Sequence, residues 1–241
     1  MAAPWIIAHR GASGYAPENT MAAFCRAVEL GAGFIETDLH LTRDAHLVAI
    51  HDDTLERTTT GRGEVKHFTL AELRELDAGS WFAPEFAGER IPSLAEILEF
   101  AREKDVAFFL EVKPAAIWGV EHAVVNALRD SGEAAGVVVL SFQENILASV
   151  HRLDRTMMTG FLFDHPLENP LALAQRVGAR QLVPRADLVR AEMVEEAHRE
   201  GLQVVAWSVN EPDEMRALLS TGVDGIMTDF PDRLRDVLRS S

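Results

Sequence analysis

The sequence of 241 residues has one cysteine and few basic side chains, and both shortages exclude classes of protein. Because Cys25 is alone, no disulfide can form within the chain, and nothing indicates an oxidising compartment. Lys and Arg number 23 against 38 Asp and Glu, which gives a formal net charge of −15. Such a chain does not attract phosphate backbones, so we expect no nucleic-acid partner. A small phosphate-bearing substrate stays open, because a local cation can reverse the field inside a cleft.

Long apolar runs are also missing from the sequence. No run approaches the roughly 20 residues that cross a bilayer, and no basic segment of the kind that begins a signal peptide precedes the first apolar run. We therefore expect no membrane span and a cytoplasmic location. The helical pattern around Cys25, over 21–28, favours a small core residue over a nucleophile at that position.

Short apolar runs alternate with amphipathic segments along most of the chain, which is typical of βαβ units and a parallel sheet. Beyond Pro92 we predict strands at 106–112, 137–140, 157–162, 180–183, 203–207 and 224–227. Helices are predicted at 93–104, 120–131, 143–153, 170–177, 191–200, 213–220 and 231–239. The N-terminal part fits the same scheme, with a strand at 5–8, a helix at 20–30 and strands at 34–38 and 47–51.

The number of these units indicates the fold. If 47–51 is an extra partner of the second strand, eight βα units remain, and eight units in about 240 residues make a compact (β/α)8 TIM barrel. We therefore predict an α/β protein in which 1–241 form a single barrel domain. An open doubly wound sheet is the alternative, although no Gly-x-Gly-x-x-Gly turn follows a predicted strand.

The segment 52–92 interrupts the alternation and is predicted to be a small insertion after the early strands. It begins with a polar, glycine-bearing stretch, continues through a short helix at 70–76 and ends in an aromatic-rich part. An insertion of this length in a compact fold usually has a functional role or forms a lid. Its aromatic side chains fit either such a role or attachment of the insertion to the barrel, and they are Trp81, Phe82 and Phe86.

Acidic residues end two of the predicted strands. Glu36 and Asp38 lie at the end of the second strand, and Glu111 lies at the end of 106–112. Residues two apart on a strand point to the same face, and barrel active sites lie at the carboxyl ends of the strands. Three carboxylates in one cleft repel one another unless a cation joins them. Because oxygen ligands select hard ions, we predict a site for a divalent metal ion, Mg²⁺, Ca²⁺ or Mn²⁺.

Two histidines also follow strand ends, His9 after the first strand and His51 after the run at 47–50. Imidazole accepts and donates protons near neutral pH. Cleavage of a phosphodiester needs a base for the attacking oxygen and an acid for the departing alkoxide. We therefore predict that His9 and His51 form an acid/base pair. The other histidines are expected in loops or on polar helix faces and are given no role: His40, His46, His67, His122, His151, His165 and His198.

Four further side chains near these strand ends are candidates for substrate contact. Arg10 and Lys113 would supply positive charge to phosphate oxygens, although Lys113 could instead pair with a neighbouring acid. Glu18 lies in the loop that opens the first helix and could reach a histidine or the substrate. Trp207 could form an apolar wall for a substrate alcohol, although a tryptophan at a barrel rim is often plain packing.

Taken in order, the motifs of the chain resemble the glycerophosphodiester phosphodiesterase family over essentially the whole sequence. They are His-Arg-Gly, Pro-Glu-Asn-Thr, Glu-x-Asp, Leu-Thr-Arg-Asp, His-Asp, Arg-Thr-Thr, Ile-Pro-Ser-Leu, Glu-x-Lys, Trp-Ser-Val-Asn and Thr-Asp-x-Pro. The resemblance implies a TIM barrel with a small insertion, and a metal-dependent enzyme that hydrolyses a small glycerophosphodiester to sn-glycerol 3-phosphate and an alcohol. It implies metal binding by Glu36, Asp38 and Glu111, acid/base roles for His9 and His51, and phosphate binding by Arg10 and Lys113.

Two other functions are weighed against this one. A lysophospholipase D-like enzyme would act on larger lipids, but the mixed composition of 52–92 favours a small water-soluble diester. A non-catalytic phosphoglycerol-binding protein would have lost a histidine or a carboxylate of the motifs, and none is missing. The residues leave open which histidine is the base, whether a cyclic phosphate forms, which alcohol leaves, which metal binds and how many copies associate.

One departure from the family pattern is visible in a turn. The family usually has glycine after Leu-Thr-Arg-Asp, where this chain has Ala45 and His46. We expect a surface turn whose geometry differs while the chemistry of the site is unaffected.

Overall fold

The computed structural model describes residues 3–114, 119–132 and 134–240. Within these residues the strands are β1 (Trp5–Ala8), β2 (Phe34–Leu41), β3 (Leu47–Ala49), β4 (Ala107–Val112), β5 (Val137–Ser141), β6 (Met158–Phe163), β7 (Gln181–Pro184), β8 (Gln203–Ala206) and β9 (Gly225–Thr228). β1 pairs in parallel with β2 on one side and with β9 on the other, so eight parallel strands close into a barrel with β3 outside it. The closed sheet confirms the predicted (β/α)8 barrel and excludes the open doubly wound sheet.

The helices of the described residues are α1 (Met21–Glu29), α2 (Leu70–Leu73), α3 (Leu94–Lys104), α4 (Val120–Ser131), α5 (Glu144–Leu153), α6 (Pro170–Val177), α7 (Ala191–Arg199), α8 (Pro212–Leu219) and α9 (Pro231–Arg239). None of them has both the length and the apolar character that crossing a membrane requires. Beyond Pro92 the observed bounds agree with the predicted ones to within one residue. The start of α3 shows why, because Ser93 and Glu96 form the reciprocal hydrogen bonds of the predicted capping box.

Apolar side chains form one layer inside the barrel and others between the sheet and the helices. The outer layers bury large rings, such as Phe24 of α1, which packs edge-to-face on Phe108 of β4 with centroids 5.5 Å apart. Both rings are fully buried, and each such burial contributes about 1.5–3 kcal/mol to folding. The inner layer consists of Ile7, Phe109, Leu140, Leu162, Val183, Val205 and Met227.

β2 continues to Leu41 rather than ending at Asp38, and its extension positions β3. Residues 39–41 of β2 pair with 47–49 in the antiparallel direction, as expected for an extra partner. The chain therefore returns toward the barrel, where the Ile50 amide donates to the carbonyl oxygen of Asp38 at 3.1 Å. This return places His51 next to the carboxyl end of the barrel.

The insertion packs on β3 through aliphatic side chains. Three of its aromatic residues pack edge-to-face on one another instead, Trp81 on Phe82 and Phe82 on Phe86. Trp81 is 40% exposed, and none of these three rings belongs to the cluster through which the insertion packs on β3. The buried members of this cluster are Val48, Ile50, Leu55, Val65, Leu73, Ala78 and Ile91.

The predicted helix at 70–76 is shorter than expected, because α2 ends at Leu73. The expectations for Cys25 and His40 are wrong. Cys25 is exposed rather than in the core, because α1 turns the faces of Ala23, Phe24 and Ala27 inward instead. His40 lies in β2 rather than in a loop, because pairing with β3 extends that strand past its predicted end. The His40 ring is buried, with Nε2 3.1 Å from the carbonyl oxygen of His51.

The expected change of geometry at the Ala45 turn is not seen, because Ala45 keeps the conformation that glycine favours. Ala45 has a φ of +63°, in the left-handed region where a Cβ is strained. Thr42 holds the turn, because its Oγ1 donates to Asp44 Oδ1 at 2.7 Å and accepts from the His46 amide at 2.9 Å. The substitution therefore adds local strain to an exposed turn.

Candidate active site

Alternation along the barrel strands explains which side chains reach the carboxyl end. A residue that fills the barrel interior is followed two positions later by a side chain at the mouth. Ile7 precedes His9 in this way, and Met227 precedes Asp229. The local period of the strands therefore brings chemical groups from distant parts of the chain to one place.

A cavity of about 70 Å³ lies at this end of the barrel. Asp38 and Glu18 are absent from its lining, since they lie behind the residues that face it. The opposite wall is apolar and comes from the later strands, with Leu140, Leu162 and Met227 among its residues. Seven of the nine predicted site residues line the cavity: His9, Arg10, Glu36, His51, Glu111, Lys113 and Trp207.

Three carboxylates meet beside this cavity, as parallel pairing of β2 and β4 sets Asp38 opposite Glu111. Glu36, Asp38 and Glu111 each offer an oxygen, and these oxygens lie within 4.8 Å of one another. All three side chains are buried. A compact set of carboxylate oxygens fits a hard divalent cation, and in the described residues this is the one such group of acids and histidines.

Two cations hold the same carboxylates. Lys113 Nζ lies 2.8 Å from Asp38 Oδ1 and 2.6 Å from Glu111 Oε1, so this lysine pairs with both neighbouring acids. The Arg10 guanidinium donates to Glu18 at 2.8 Å, and its Nε lies 3.2 Å from Asp38 Oδ2. The Arg10 backbone amide donates to Glu36 Oε2 at 2.9 Å.

Burial and mutual repulsion raise the pKa values of these acids, and the neighbouring cations lower them. Burial raises the pKa of Glu111 to about 7, and the charge of Asp38 contributes to the rise. Burial, with the charges of Asp38 and Glu111, also raises the pKa of Glu36 well above its usual value. Burial acts in the same sense on Asp38, but the charges of Lys113 and Arg10 outweigh it and lower the pKa of that carboxyl. The site therefore gains from an added positive charge near Glu36 and Glu111.

The backbone at Arg10 is strained and closely packed. Arg10 has a φ of +58°, and Gly11 follows with a φ of +81°. A Cβ on Gly11 would lie 2.7 Å from the Cβ and the carbonyl carbon of Ala23. This turn needs glycine at 11, and it aims the Arg10 amide at Glu36.

His9 is oriented by an aspartate from the other end of the chain. Its Nδ1 lies 2.7 Å from Asp229 Oδ1, and Asn210 Nδ2 donates to the other carboxylate oxygen at 2.7 Å. Burial alone would raise the pKa of Asp229, but hydrogen bonds from His9, Asn210 and Ser13 lower it to about 2. The carboxylate is therefore ionised and accepts a hydrogen bond from Nδ1–H, which leaves His9 Nε2 for the cavity.

His51 has the same arrangement with its neighbour in the chain. Its Nδ1 lies 2.7 Å from Asp52 Oδ1, and Arg57 of the insertion donates to both oxygens of Asp52, at 2.8 and 3.0 Å. Arg57 also donates to both oxygens of Glu18, at 2.7 and 2.8 Å. Glu18 thus contacts two arginines and neither histidine.

Trp207 lies at the apolar side of the cavity. Its Nε1 donates to the carbonyl oxygen of Val183 at 2.9 Å, which fixes the ring over the end of β7. Phe142 packs edge-to-face on it with centroids 5.6 Å apart, and both rings line the cavity. The apolar wall thus has a second aromatic member, Phe142, that no sequence motif indicates.

Three further residues brace the site and were not given roles from the sequence. Asn19, in the Pro-Glu-Asn-Thr motif, donates from Nδ2 to Asp38 Oδ2 at 2.9 Å, in addition to its place before α1. Asp229 could have been identified from its position two residues after the inward-facing Met227. Arg57 lies in the Arg-Thr-Thr motif, but nothing local indicates where its side chain points.

Comparison with known proteins finds relatives over nearly the whole chain. The family model described as "Glycerophosphoryl diester phosphodiesterase family" matches residues 9–233. A glycerophosphodiester phosphodiesterase of Caldanaerobacter subterraneus subsp. tengcongensis is 41% identical over 236 residues, 97% of each chain. A glycerophosphodiester phosphodiesterase of Bacillus subtilis is 33% identical over 255 residues, 96% of this chain and 85% of the relative.

A solved structure has the same fold over its whole length. It is an Oleispira antarctica phosphodiesterase in complex with the product sn-glycerol-3-phosphate, with a TM-score of 0.90 and 29% sequence identity. The superposition covers 98% of this chain and 97% of that one. With a family match over nearly the entire sequence, the chain belongs to the glycerophosphodiester phosphodiesterase family.

Proposed function

We propose that this protein hydrolyses glycerophosphodiesters to sn-glycerol 3-phosphate and an alcohol, with a divalent metal ion and two histidines as general acid and base. The observation that carries the proposal is the meeting of three carboxylates, two histidines and two cations at one cavity. The product named in the Oleispira antarctica complex supports the substrate class.

Glu36, Asp38 and Glu111 would hold the metal ion. A bound divalent cation supplies charge stabilisation for phosphoryl oxygens and lowers the pKa of a bound hydroxyl or water. Lys113 keeps Asp38 and Glu111 together from one side, and Arg10 supports Asp38 from the other. These two cations also line the cavity and would neutralise charge that grows on the phosphoryl oxygens during attack.

His9 and His51 would transfer protons on the attacking and the leaving oxygen. In each, an ionised aspartate accepts from Nδ1, Asp229 for His9 and Asp52 for His51. Nε2 of a neutral ring then accepts a proton, and Nε2–H of a protonated ring donates one. Both rings present Nε2 to the cavity. The pair therefore suits an in-line displacement, which needs one neutral ring as the base and one protonated ring as the acid.

Phe142 and Trp207 would contact the carbon atoms of the substrate. The polar wall of the cavity binds the phosphate, so the glycerol or the alcohol lies over the apolar wall from β5 to β9. Glu18 would act through Arg10, whose guanidinium it contacts. None of the three insertion aromatics is in the cavity lining of the described residues, which favours a small diester over a lysophospholipid.

A panel of glycerophosphodiesters tests the proposal. The purified protein is chelated, and Mg²⁺, Ca²⁺ or Mn²⁺ is added back before release of glycerol 3-phosphate is measured from choline, ethanolamine, glycerol and inositol esters. We expect turnover of at least one ester, lost on chelation and restored by a metal. A Glu36→Gln variant should bind the restoring metal more weakly by calorimetry, because one of three charged ligands is lost.

Two outcomes would contradict the proposal in different ways. Full activity after rigorous chelation would remove the metal from the mechanism. Absence of glycerol 3-phosphate with every ester and every metal would remove the substrate class.

A further inference from the structure

Arg57 joins two carboxylates that lie on different sides of the candidate site. Its Nε and Nη2 donate to Asp52, and its Nη1 and Nη2 donate to Glu18, all at 2.7–3.0 Å. Both pairs are bidentate, and this is the geometry for which a planar guanidinium is suited and an ammonium is not. An exposed ion pair is usually worth little, but two bidentate pairs on one guanidinium fix the positions of both acids.

Each of these carboxylates already serves a residue that lines the cavity. Asp52 Oδ1 accepts from both His51 and Arg57, and Glu18 Oε1 accepts from both Arg10 and Arg57. The contacts therefore run without a gap from Arg10 through Glu18, Arg57 and Asp52 to His51. At one end of this series of contacts, Arg10 is the cation proposed to bind phosphate, and at the other end His51 is the group proposed to transfer a proton.

Positive and negative groups alternate along this series of contacts, so removal of Arg57 at its centre would change both Arg10 and His51. Glu18 and Asp52 are both held ionised by Arg57: its hydrogen bonds lower the pKa of Asp52, and with Arg10 they outweigh the burial that would raise the pKa of Glu18. Without Arg57, the two acids face each other without a cation between them. Asp52 would then be free to rotate away from His51, and Glu18 would draw Arg10 toward itself.

We propose that Arg57 is a positioning residue that couples the phosphate-binding side of the site to the proton-transfer side. It holds Asp52 so that His51 keeps its proton on Nδ1, and it holds Glu18 so that Arg10 stays aimed at the cavity. The insertion therefore completes the active site through one side chain. This inference rests on the proposed function for its kinetic consequence only, because the state of the His51 ring is measured without turnover.

Kinetics of Arg57→Ala and Arg57→Lys test the consequence. We expect Arg57→Ala to lower kcat about 10- to 100-fold, because a histidine displaced by about 1 Å loses that much. Arg57→Lys should recover only part of the loss, since an ammonium cannot bind both carboxylates bidentately. Added guanidinium ion should restore part of the activity of Arg57→Ala and leave the wild type unchanged.

Arg43→Ala is the matched control. Arg43 also joins the insertion to the barrel, because its Nη2 lies 3.1 Å from Glu72 and its Nη1 lies 3.0 Å from the carbonyl oxygen of His67. It lies away from the cavity, however. The Arg43 side chain is 56% exposed and the Arg57 side chain is 44% exposed, so the two alanine substitutions remove arginines of similar exposure. We expect Arg43→Ala to keep the kcat of the wild type.

The ¹⁵N chemical shifts of the His51 ring give a readout that turnover does not affect. Wild type should show the Nδ1–H tautomer, and Arg57→Ala should show a mixture with Nε2–H, as Asp52→Asn should. An unchanged His51 signature in Arg57→Ala would overturn the inference, as would equal losses of kcat in Arg57→Ala and Arg43→Ala. If the wild type releases no glycerol 3-phosphate, the proposed function fails while the ring shifts still decide the inference.

Discussion

Replacing Asp229 by asparagine tests how His9 is held. The orientation of Asn210 is fixed, because its Oδ1 accepts from the Asp229 amide at 2.9 Å and from Thr228 Oγ1 at 3.1 Å. Asn210 Nδ2 must therefore donate to residue 229, and an asparagine there must turn its oxygen toward Asn210. Its own Nδ2 then faces His9 Nδ1, so His9 has to move its proton to Nε2 or lose the contact.

The Asp229 carboxylate both orients His9 and stabilises the fold, so its replacement should lower kcat and the free energy of unfolding. A histidine with its proton on the wrong nitrogen cannot act as a base from Nε2, so kcat should fall about 10²- to 10⁴-fold. A pKa of about 2, set against an unfolded value near 3.9, corresponds to about 2–3 kcal/mol of stability that the charged carboxylate contributes at neutral pH. The depressed pKa means that this contribution is present above about pH 4 and is lost as the pH falls toward 2.

Glycerol 3-phosphate release and urea unfolding measure the two effects. The difference in unfolding free energy between wild type and Asp229→Asn should be smaller below pH 4 than at neutral pH. Asp232→Asn is the control. Asp232 lies three residues after Asp229, in the first turn of α9, but it accepts a hydrogen bond from the Tyr15 hydroxyl at 2.9 Å and does not contact His9. A kcat for Asp229→Asn within twofold of the wild type would refute the reasoning, whatever the stability shows.

Three further substitutions have simpler expectations. Ala45→Gly should raise Tm by roughly 2–4 °C, because it relieves a left-handed alanine worth about 1 kcal/mol, and no change in Tm would contradict the strain. Gly11→Ala should lower both Tm and kcat, because its Cβ meets the backbone of Ala23 at 2.7–2.8 Å, and normal values of both would contradict the packing. Cys25→Ser should leave kcat unchanged and Tm within about 2 °C, since the thiol is on the exposed face of α1; a larger loss by thermal melt would contradict that exposure.

The barrel and its carboxylates could be predicted because they follow from short-range rules. A capping box fixes where α3 begins, and strand alternation puts Glu36 and Asp38 on one face. The second strand was predicted too short because its extension depends on β3, a partner outside the parallel scheme. The same pairing buries His40, which local pattern alone put in a loop.

The contact that orients His9 depends on closure of the whole barrel. His9 and Asp229 are 220 residues apart and meet because β1 pairs with β9. Arg57 reaches Glu18 because the insertion packs on β3, through a cluster of aliphatic residues that has no sequence motif. Neither strand register nor docking of an insertion is contained in a local period, so the pairing of His9 with Asp229 and of Arg57 with Glu18 required the structure, whereas Asp52 is adjacent to His51 in the sequence.

The central claim is that His9 and His51 divide the work of general acid and general base, and a change of leaving group tests it most directly. His9→Ala and His51→Ala are each assayed with glycerophosphocholine and with the p-nitrophenyl ester of glycerol phosphate, whose phenolate departs without protonation. We predict that both variants fail on the choline ester and that one of them regains about 100-fold or more on the p-nitrophenyl ester, because that variant lacks only the acid. Equal losses on both esters in both variants, or near-normal turnover of the choline ester by either, would contradict it.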